Sequence, residues 1–453
     1  MVDYNVVLVT VDCLRRDHLG SWGYSRDTTP NIDGVVERAL VFNNMVSNGN
    51  CTPASFPSIM ASTYPAVSGS ILDMLPRGCH LISERLKERG YTTIGIHSNP
   101  FLSSRFGYGR GYDIYEDLQG KTGYCSKWVP RIKGVLSRVL QRAPYFHEVK
   151  SIIRQIMSYN PYVWANEIVD RSIHHLSSVK GPFFLWAHFM DAHFPYMYPE
   201  YDDKHVYTRI SKLRLGRVLG DANRRGAVTD GQLQDLMDLY DTNLRYIDFQ
   251  IGRLLSFFHE KGVEEDTILI ITSDHGEEFM EHGNVFHCNK LYNEFIQVPL
   301  VIRHPEIDEK VGVDVMMSHL DVAPSILDFL GAREDPLFGG KSVLKKMEIG
   351  GEGKVFSEGL SLSFNKPVER LFSCTTRDMK YIYNYSEKHL EAYDLVNDAQ
   401  ERQDISGEAL EHPSSDALFS HIESRVSFNR LSVENDVTRQ PFVSPCMPND
   451  YAE

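Results

Sequence analysis

The sequence predicts an α/β protein on a doubly wound, mixed but mainly parallel sheet, followed by a small C-terminal α+β subdomain. Apolar runs with no polar face recur at Asn5 to Val11, Phe183 to Phe189 and Thr267 to Thr272. Strands of that kind are buried on both sides, as in a parallel sheet covered by helices. Helical stretches separate them. Leu81 to Lys87 stops at Gly90, and Gln232 to Lys261 carries Leu236, Leu239, Leu244, Ile247, Ile251, Leu254 and Leu255 close to a 3.6-residue period. Strands alternating with helices select the doubly wound architecture, in which ligands bind outside the carboxyl ends of the strands.

In chain order, the first strand ends abruptly at Asp12, and Thr92 to His97 and Val298 to Ile302 supply two more. Residues 1–345 are expected to form the catalytic domain. Its segments 104–180 and 200–230, basic and aromatic but weakly periodic, read as insertions that shape substrate choice. Gly339-Gly340 and Gly350-Gly351 then punctuate a loop region. Val355-Phe-Ser and a hairpin turning at Arg377-Asp378 predict an antiparallel subdomain over 346–410. The polar stretch 411–453, with Pro413, Pro441, Pro445 and Pro448, is expected to be a mobile tail.

Composition excludes several functions. Of 453 residues, 42% are hydrophobic and 24% charged, as in an ordinary globular chain. A net charge of −14 argues against nucleic-acid partners and a basic membrane-surface role. Seven scattered cysteines without a CxxC pair argue against a disulfide framework and for a reducing compartment. The opening MVDYNVVLVTVD lacks a basic leader, and no later apolar run approaches the roughly 20 residues of a membrane span. A cytoplasmic protein is the expectation. Oligomeric state is not legible.

Four segments carry chemistry. Asp12 is a carboxylate where a buried strand emits its loop, costly unless paired or holding a metal. Asp274-His275-Gly276 repeats that pattern, and oxygen plus imidazole nitrogen suits a divalent cation. Gly276 permits a tight bend, and His282 and His287 follow closely. In Asn50-Cys51-Thr52-Pro53, Thr52 is placed like an N-cap with Pro53 at the first helical position. A hydroxyl at a helix N-terminus beside a metal can act as a nucleophile. Finally, Asp191 and His193 leave the strand Phe183 to Phe189 at the same end as Asp12 and Asp274, while His188 reads as a hydrogen-bonded core histidine.

These segments resemble the sulfatase family of the alkaline phosphatase superfamily. The resemblance rests on Val7 to Tyr24 with Thr29-Pro-Asn-Ile-Asp33, on His97-Ser-Asn99, on Met190-Asp-Ala-His193-Phe-Pro-Tyr and on Ser273-Asp274-His275-Gly-Glu-Glu. It continues through Leu291-Tyr-Asn-Glu294, His319-Leu-Asp321 and Ala392 to Asp398, in order over roughly 5–405. It implies an alkaline phosphatase-like fold and metal-dependent hydrolysis of a sulfate or phosphate ester through a covalent intermediate. Diesters and phosphonates are included, on a small-molecule, glycan or lipid substrate. Asp12, Asp274 and His275 match the divalent-metal ligands, and residue 51 or 52 matches the nucleophile. Asn99, His193 and Lys290 match positions near the transferred group or leaving group, with Asp191 placed beside them. His287 matches a position that binds substrate or a second metal, and His193 or His287 would protonate the leaving oxygen. The ion is Ca, Mn, Mg or Zn.

Three departures stand out. Cys51-Thr-Pro-Ala-Ser55 keeps the Cys and Pro of the Cys-x-Pro-x-Arg formylglycine signature but has Ser for Arg. Counting back from Tyr64-Pro65 puts Thr52, not Cys51, on the nucleophile position. Cys13 stands where sulfatases have a second metal-binding Asp. An Asp-His pair is more like the phosphonate and phosphodiester hydrolases. Transfer to an alcohol acceptor and a catalytically silent binding protein are the alternative functions.

Overall fold

A computed structural model describes residues 4–66, 75–118, 162–196, 214, 218, 228–287, 290–350, 353–361, 369–407 and 412–433. The main sheet is built from β1 (Asn5–Val11) and β2 (Leu40–Phe42), then, past the two-residue β3 (Met45–Val46), from β4 (Thr92–His97), β5 (Ile114–Asp117), β6 (Phe183–Phe189) and β7 (Thr267–Ser273). Short β8 (Glu278–Phe279) and β9 (Val285–Phe286) form a hairpin, and β10 (Leu300–Arg303) and β11 (Val311–Val313) return to the sheet. Its order is β11-β2-β10-β7-β1-β6-β4-β5, and β10 alone runs antiparallel to its neighbours. The predicted fold class holds.

Alternation explains why both faces are covered. Val7, Val9 and Val11 of β1 pack with Leu185, Ala187 and Ile271 under the helices Pro30–Val36, Ala165–Ser177 and Asp230–Lys261. Val6 and Leu8 pack with Trp186 and Ile270 under Thr52–Ala61, Ile82–Glu88 and Val322–Phe329. Every residue of β1, β6 and β7 is buried, so a period of two serves two apolar layers.

Two expectations are corrected here. Residues 104–180 are not all insertion: β5 is an edge strand of the sheet, and Ala165–Ser177 packs on β6 with Ile168, Val169 and Leu176 buried. Residues 119–161, and 200–230 apart from 214, 218 and 228–230, lie outside the described residues. The tail also differs. Pro413–Val433 is a helix whose Leu418 and Ile422 pack on Phe372, Tyr381 and Ala392, because those apolar positions fall on one turn-spaced face. Residues 434–453 lie outside the described set.

Beyond the two-residue β12 (Met317–Ser318), the C-terminal sheet is the predicted antiparallel one: β13 (Val355–Ser361), β14 (Glu369–Thr375), β15 (Met379–Asn384) and β16 (His389–Asp394). It is stitched to the loop 47–50. Asn48 Nδ2 donates to Phe356 O at 2.7 Å, Glu358 N to Asn48 O at 2.8 Å and Ser357 Oγ to Ser47 O at 2.6 Å. Asn50 exchanges bonds with Leu360 at 2.8 and 3.0 Å. No helix among the described residues is long and apolar enough to cross a membrane.

The long helix also holds the first short one. Asp248 is fully buried and accepts from Asn31 N and Ile32 N, and burial pushes its carboxyl up to about 6 despite those bonds. A folded value above the ordinary 3.8 means the native state holds more protons than the unfolded chain. Stability is therefore lost as pH rises from about 4 to 6, by about 3 kcal/mol for a gap of roughly two pH units. Urea unfolding at pH 4 and pH 7 is expected to show wild type losing that much more than Asp248→Asn. Equal losses would refute the assignment.

Candidate active site

The parallel register sets the site. Val11 of β1 pairs with Phe189 of β6 and Ser273 of β7, so the residues that follow leave three adjacent strands at one level. Asp12 N donates to Phe189 O at 2.9 Å, which fixes where its carboxylate begins. Asp12, Asp274 and His275 are fully buried. His275 Nε2 lies 3.6 Å from Asp12 Oδ1 and 3.6 Å from Asp274 Oδ2.

This nest is polar and incomplete. Asp274 Oδ2, His275 Nε2 and His188 Nε2 are buried with no hydrogen-bond partner. Burial and the charge of Asp12 push Asp274 up. Burial would raise Asp12 too, but His193, His188 and His275 hold it well below the usual carboxylate range. Two carboxylates facing an imidazole with bare atoms between them fit a divalent cation, which would satisfy those atoms at once. His275 Nδ1 bonds Gly276 O at 2.9 Å, leaving Nε2 for the ion. Gly276 is needed for close approach rather than for a left-handed bend: a Cβ there would stand 2.0 Å from Glu294 O.

Thr52 opens a ten-residue helix in which every residue is buried. The cap is Cys51, not Thr52. Cys51 has extended backbone angles, its carbonyl accepts from Ala54 N and Ser55 N, and Pro53 lies inside the first turn, where its missing N–H is no loss. Thr52 Oγ1 is thereby free to face the nest, donating to Asp12 Oδ2 at 3.1 Å. Asn99, past the end of β4, donates from Nδ2 to Asp12 Oδ2 at 3.1 Å and to Thr52 Oγ1 at 3.2 Å. Ser55, where the formylglycine signature has Arg, turns back to Cys51 O at 3.1 Å. Cys51 is buried immediately before that helix.

His193 and His287 face each other with ring centres 4.7 Å apart. Each Nδ1 is anchored: His193 on Phe194 O, and His287 on Glu277 Oε1 at 2.9 Å. Burial lowers both rings, but only His287 has a carboxylate partner. His193 falls to about 4, whereas the charge and hydrogen bond of Glu277 carry His287 up to about 9. At neutral pH His287 carries a proton to give and His193 does not. Cys13, in a left-handed conformation at φ 60°, sets its Sγ 3.1 Å from Asp12 Oδ1, 3.5 Å from His287 Nδ1 and 3.9 Å from His275 Nδ1.

The structure thus gathers Asp12, Asp274, His275, Thr52, Cys51, Asn99, His193 and His287. Two expected substrate contacts do not join them. Asp191 Oδ1 instead accepts from Ala165 N at the start of the helix Ala165–Ser177. Lys290 Nζ lies 3.2 Å from Glu391 and over the ring of Tyr292, against the C-terminal sheet. His188 is more than a core histidine: Nδ1 bonds Thr10 Oγ1 at 2.9 Å while Nε2 lies 3.4 Å from Asp12 Oδ2. Its register partner Thr10, two residues before Asp12, was the available signal. Glu277, which tunes His287, was hidden in an acidic pair after Gly276. His282 bridges Glu294 Oε1 at 2.6 Å and Glu401 O at 3.0 Å and holds no site atom.

Strand order and the placing of this nest at the carboxyl ends of β1, β6 and β7 define the alkaline phosphatase-like class, and solved structures share the fold. A solved structure described as BT4656 in complex with its substrate D-glucosamine-2-N,6-O-disulfate superposes at TM-score 0.67 and 18% identity, covering 96% of this chain and 99% of that one. The phosphonate monoester hydrolase of Agrobacterium radiobacter gives 0.65 and 17%, covering 94% and 96%. Residues 4–332 match the family model for sulfatases, and 280–427 match the C-terminal model of N-sulphoglucosamine sulphohydrolase. The chain belongs to the sulfatase family.

Among curated relatives, the multifunctional alkaline phosphatase superfamily protein PehA of Trinickia caryophylli is 31% identical over 76% of this chain and 77% of its own. An N-acetylglucosamine-6-O-sulfatase of Bacteroides thetaiotaomicron is 29% identical over 44% of this chain and 36% of its own. An ulvan-active sulfatase of Formosa agariphila is 25% identical over 71% and 61%. The chain spans less than two thirds of the length of these last two relatives.

Proposed function

We propose that the protein hydrolyses sulfate or phosphate esters, phosphodiesters and phosphonates included, through a covalent intermediate on Thr52. The carrying observation is the Thr52 hydroxyl, held between Asp12 Oδ2 at 3.1 Å and Asn99 Nδ2 at 3.2 Å beside the buried Asp274, whose Oδ2 is bare. Asp12, Asp274 and His275 would hold a divalent cation, whose charge lowers the pKa of a nearby hydroxyl and polarises a non-bridging oxygen.

The chain's own groups do the rest. Thr52 Oγ1 forms the new bond to sulfur or phosphorus as the bond to the departing oxygen breaks, and its proton leaves to solvent. Asn99 Nδ2 keeps the hydroxyl aligned and remains as a donor near the transferred group. His287 gives its proton to the departing oxygen, and Glu277 stabilises the imidazolium. In the second half His287, now neutral, takes a proton from water as that water attacks the intermediate, the bond to Thr52 Oγ1 breaks, and Oγ1 regains its proton from solvent. His193 lines the opposite side. Formylglycine at Cys51 is the second reading, favoured by the Cys51 and Pro53 that the chain shares with the formylglycine signature. Sulfated sugars are the substrate class suggested by the names of the relatives.

Initial rates on an aryl sulfate, aryl phosphate mono- and diesters and an aryl phosphonate, across Ca, Mg, Mn and Zn, test the proposal. Metal-dependent turnover of at least one substrate is expected. A dominant sulfate rate selects the Cys51 reading. A dominant phosphoester or phosphonate rate selects Thr52. No turnover with any pairing would refute both.

A further inference from the structure

Cys13 lies in the nest, and the proposed chemistry gives it no role. Buried free cysteines usually pack as small hydrophobes, and three others here, Cys51, Cys79 and Cys374, are likewise buried and free. Cys13 is different in its surroundings. It belongs to neither apolar cluster that flanks the sheet, although its neighbours Val11 and Leu14 do. Its sulfur is set among ionisable groups: Asp12 Oδ1 at 3.1 Å, His287 Nδ1 at 3.5 Å and His275 Nδ1 at 3.9 Å.

The backbone that aims it is pinned on both sides. Tyr240 Oη donates to Cys13 O at 2.7 Å and accepts from Arg15 N at 2.9 Å, while Leu14 N donates to Ser273 Oγ at 2.9 Å. A side chain with φ near +60° is uncommon outside glycine, asparagine and aspartate, and here it turns the sulfur inward.

One atom each from Asp12, Cys13 and His275 lie within 4.8 Å of one another. Ligands about 2.0–2.3 Å from a zinc-sized ion stand about 3.3–3.7 Å apart in a tetrahedron, so small movements close the set. Independently, Asp274 Oδ2 and His275 Nε2, both on fully buried residues, lie 3.6 Å apart with no hydrogen-bond partner.

We infer that Cys13 is a thiolate ligand of the cation held by Asp12, Asp274 and His275, and that it makes the site select zinc-like, thiophilic divalent ions over Mg or Ca. Soft sulfur raises affinity for Zn and Co, whereas carboxylate-only sites suit hard ions. On binding, the S–H bond breaks, sulfur keeps its electron pair for the metal and the proton leaves to solvent. This inference rests on the proposed metal site, and the test separates the two.

Metal-stripped protein is titrated with Co alone while absorbance and bound metal are followed. One equivalent per chain with a sulfur-to-cobalt charge-transfer band is expected. Cys13→Ser should lose the band, keep a weaker cobalt site and lower the Zn-over-Mg affinity ratio by about tenfold or more. Cys13→Asp, the second variant should serine fold poorly, should lose the band and gain Mg affinity. Cys51→Ala should keep the band. Stoichiometric cobalt without a band, or a band that survives in Cys13→Ser, overturns the inference and leaves the metal site standing. No bound cobalt removes both.

Discussion

Asp274→Ala is expected to purify without its divalent ion and to turn over at least about a thousandfold more slowly than wild type. The size follows from removing a whole source of transition-state charge rather than one hydrogen bond, since groups acting as a unit fail together. Asp274 Oδ2 has no hydrogen-bond partner, Oδ1 accepts from His275 N at 2.9 Å, and the carboxyl is already pushed up by burial and Asp12. The metal-free variant should therefore melt no lower than metal-free wild type, because it loses a poorly compensated buried charge. Elemental analysis, rates and melting on the same samples decide the matter. Full metal content with full activity would overturn the ligand assignment.

Thr52→Val is the second large effect. Valine keeps the branched shape at the first helical residue and removes the oxygen held by Asp12 and Asn99. Loss of the attacking atom should lower kcat by about a thousandfold or more with the fold intact, whereas Thr52→Ser should retain a substantial rate. Cys51→Ala should stay within a few-fold of wild type. The opposite pattern, with Cys51→Ala inactive and a Cys51 peptide lacking its thiol sulfur by mass spectrometry, would transfer the role to formylglycine. Retained activity in both variants would leave water as the nucleophile.

The parts of this site that lie on strands were legible because a buried strand announces both its faces and its end. Asp12 and Asp274 close two such runs, and the parallel register of β1 with β7 sets them side by side without further information. Side chains on loops were harder. Asp191 and Lys290 have the right chemistry at the right end of the fold. Yet one is claimed by the backbone of a neighbouring helix and the other by Glu391, about a hundred residues on. Sequence spacing carries no trace of those competitors. Glu277 illustrates the converse, since its value lies in a contact with His287 that forms only when the β8–β9 hairpin folds back. The helix Pro413–Val433 was missed for a similar reason. Its polar average conceals a few buried positions that matter only against Phe372 and Tyr381.

The bonds between Ser47, Asn48 and Asn50 and the strand β13 join residues some 310 apart in the chain. Thr52 lies two residues past Asn50, so the placing of its hydroxyl depends on a strand of the other sheet. Modularity ends at that seam. A chimaera that takes its C-terminal sheet from a relative must bring the matching 47–50 loop with it, and Gly359, where a Cβ would stand 2.8 Å from Asn50 Oδ1, must travel as part of the same cassette.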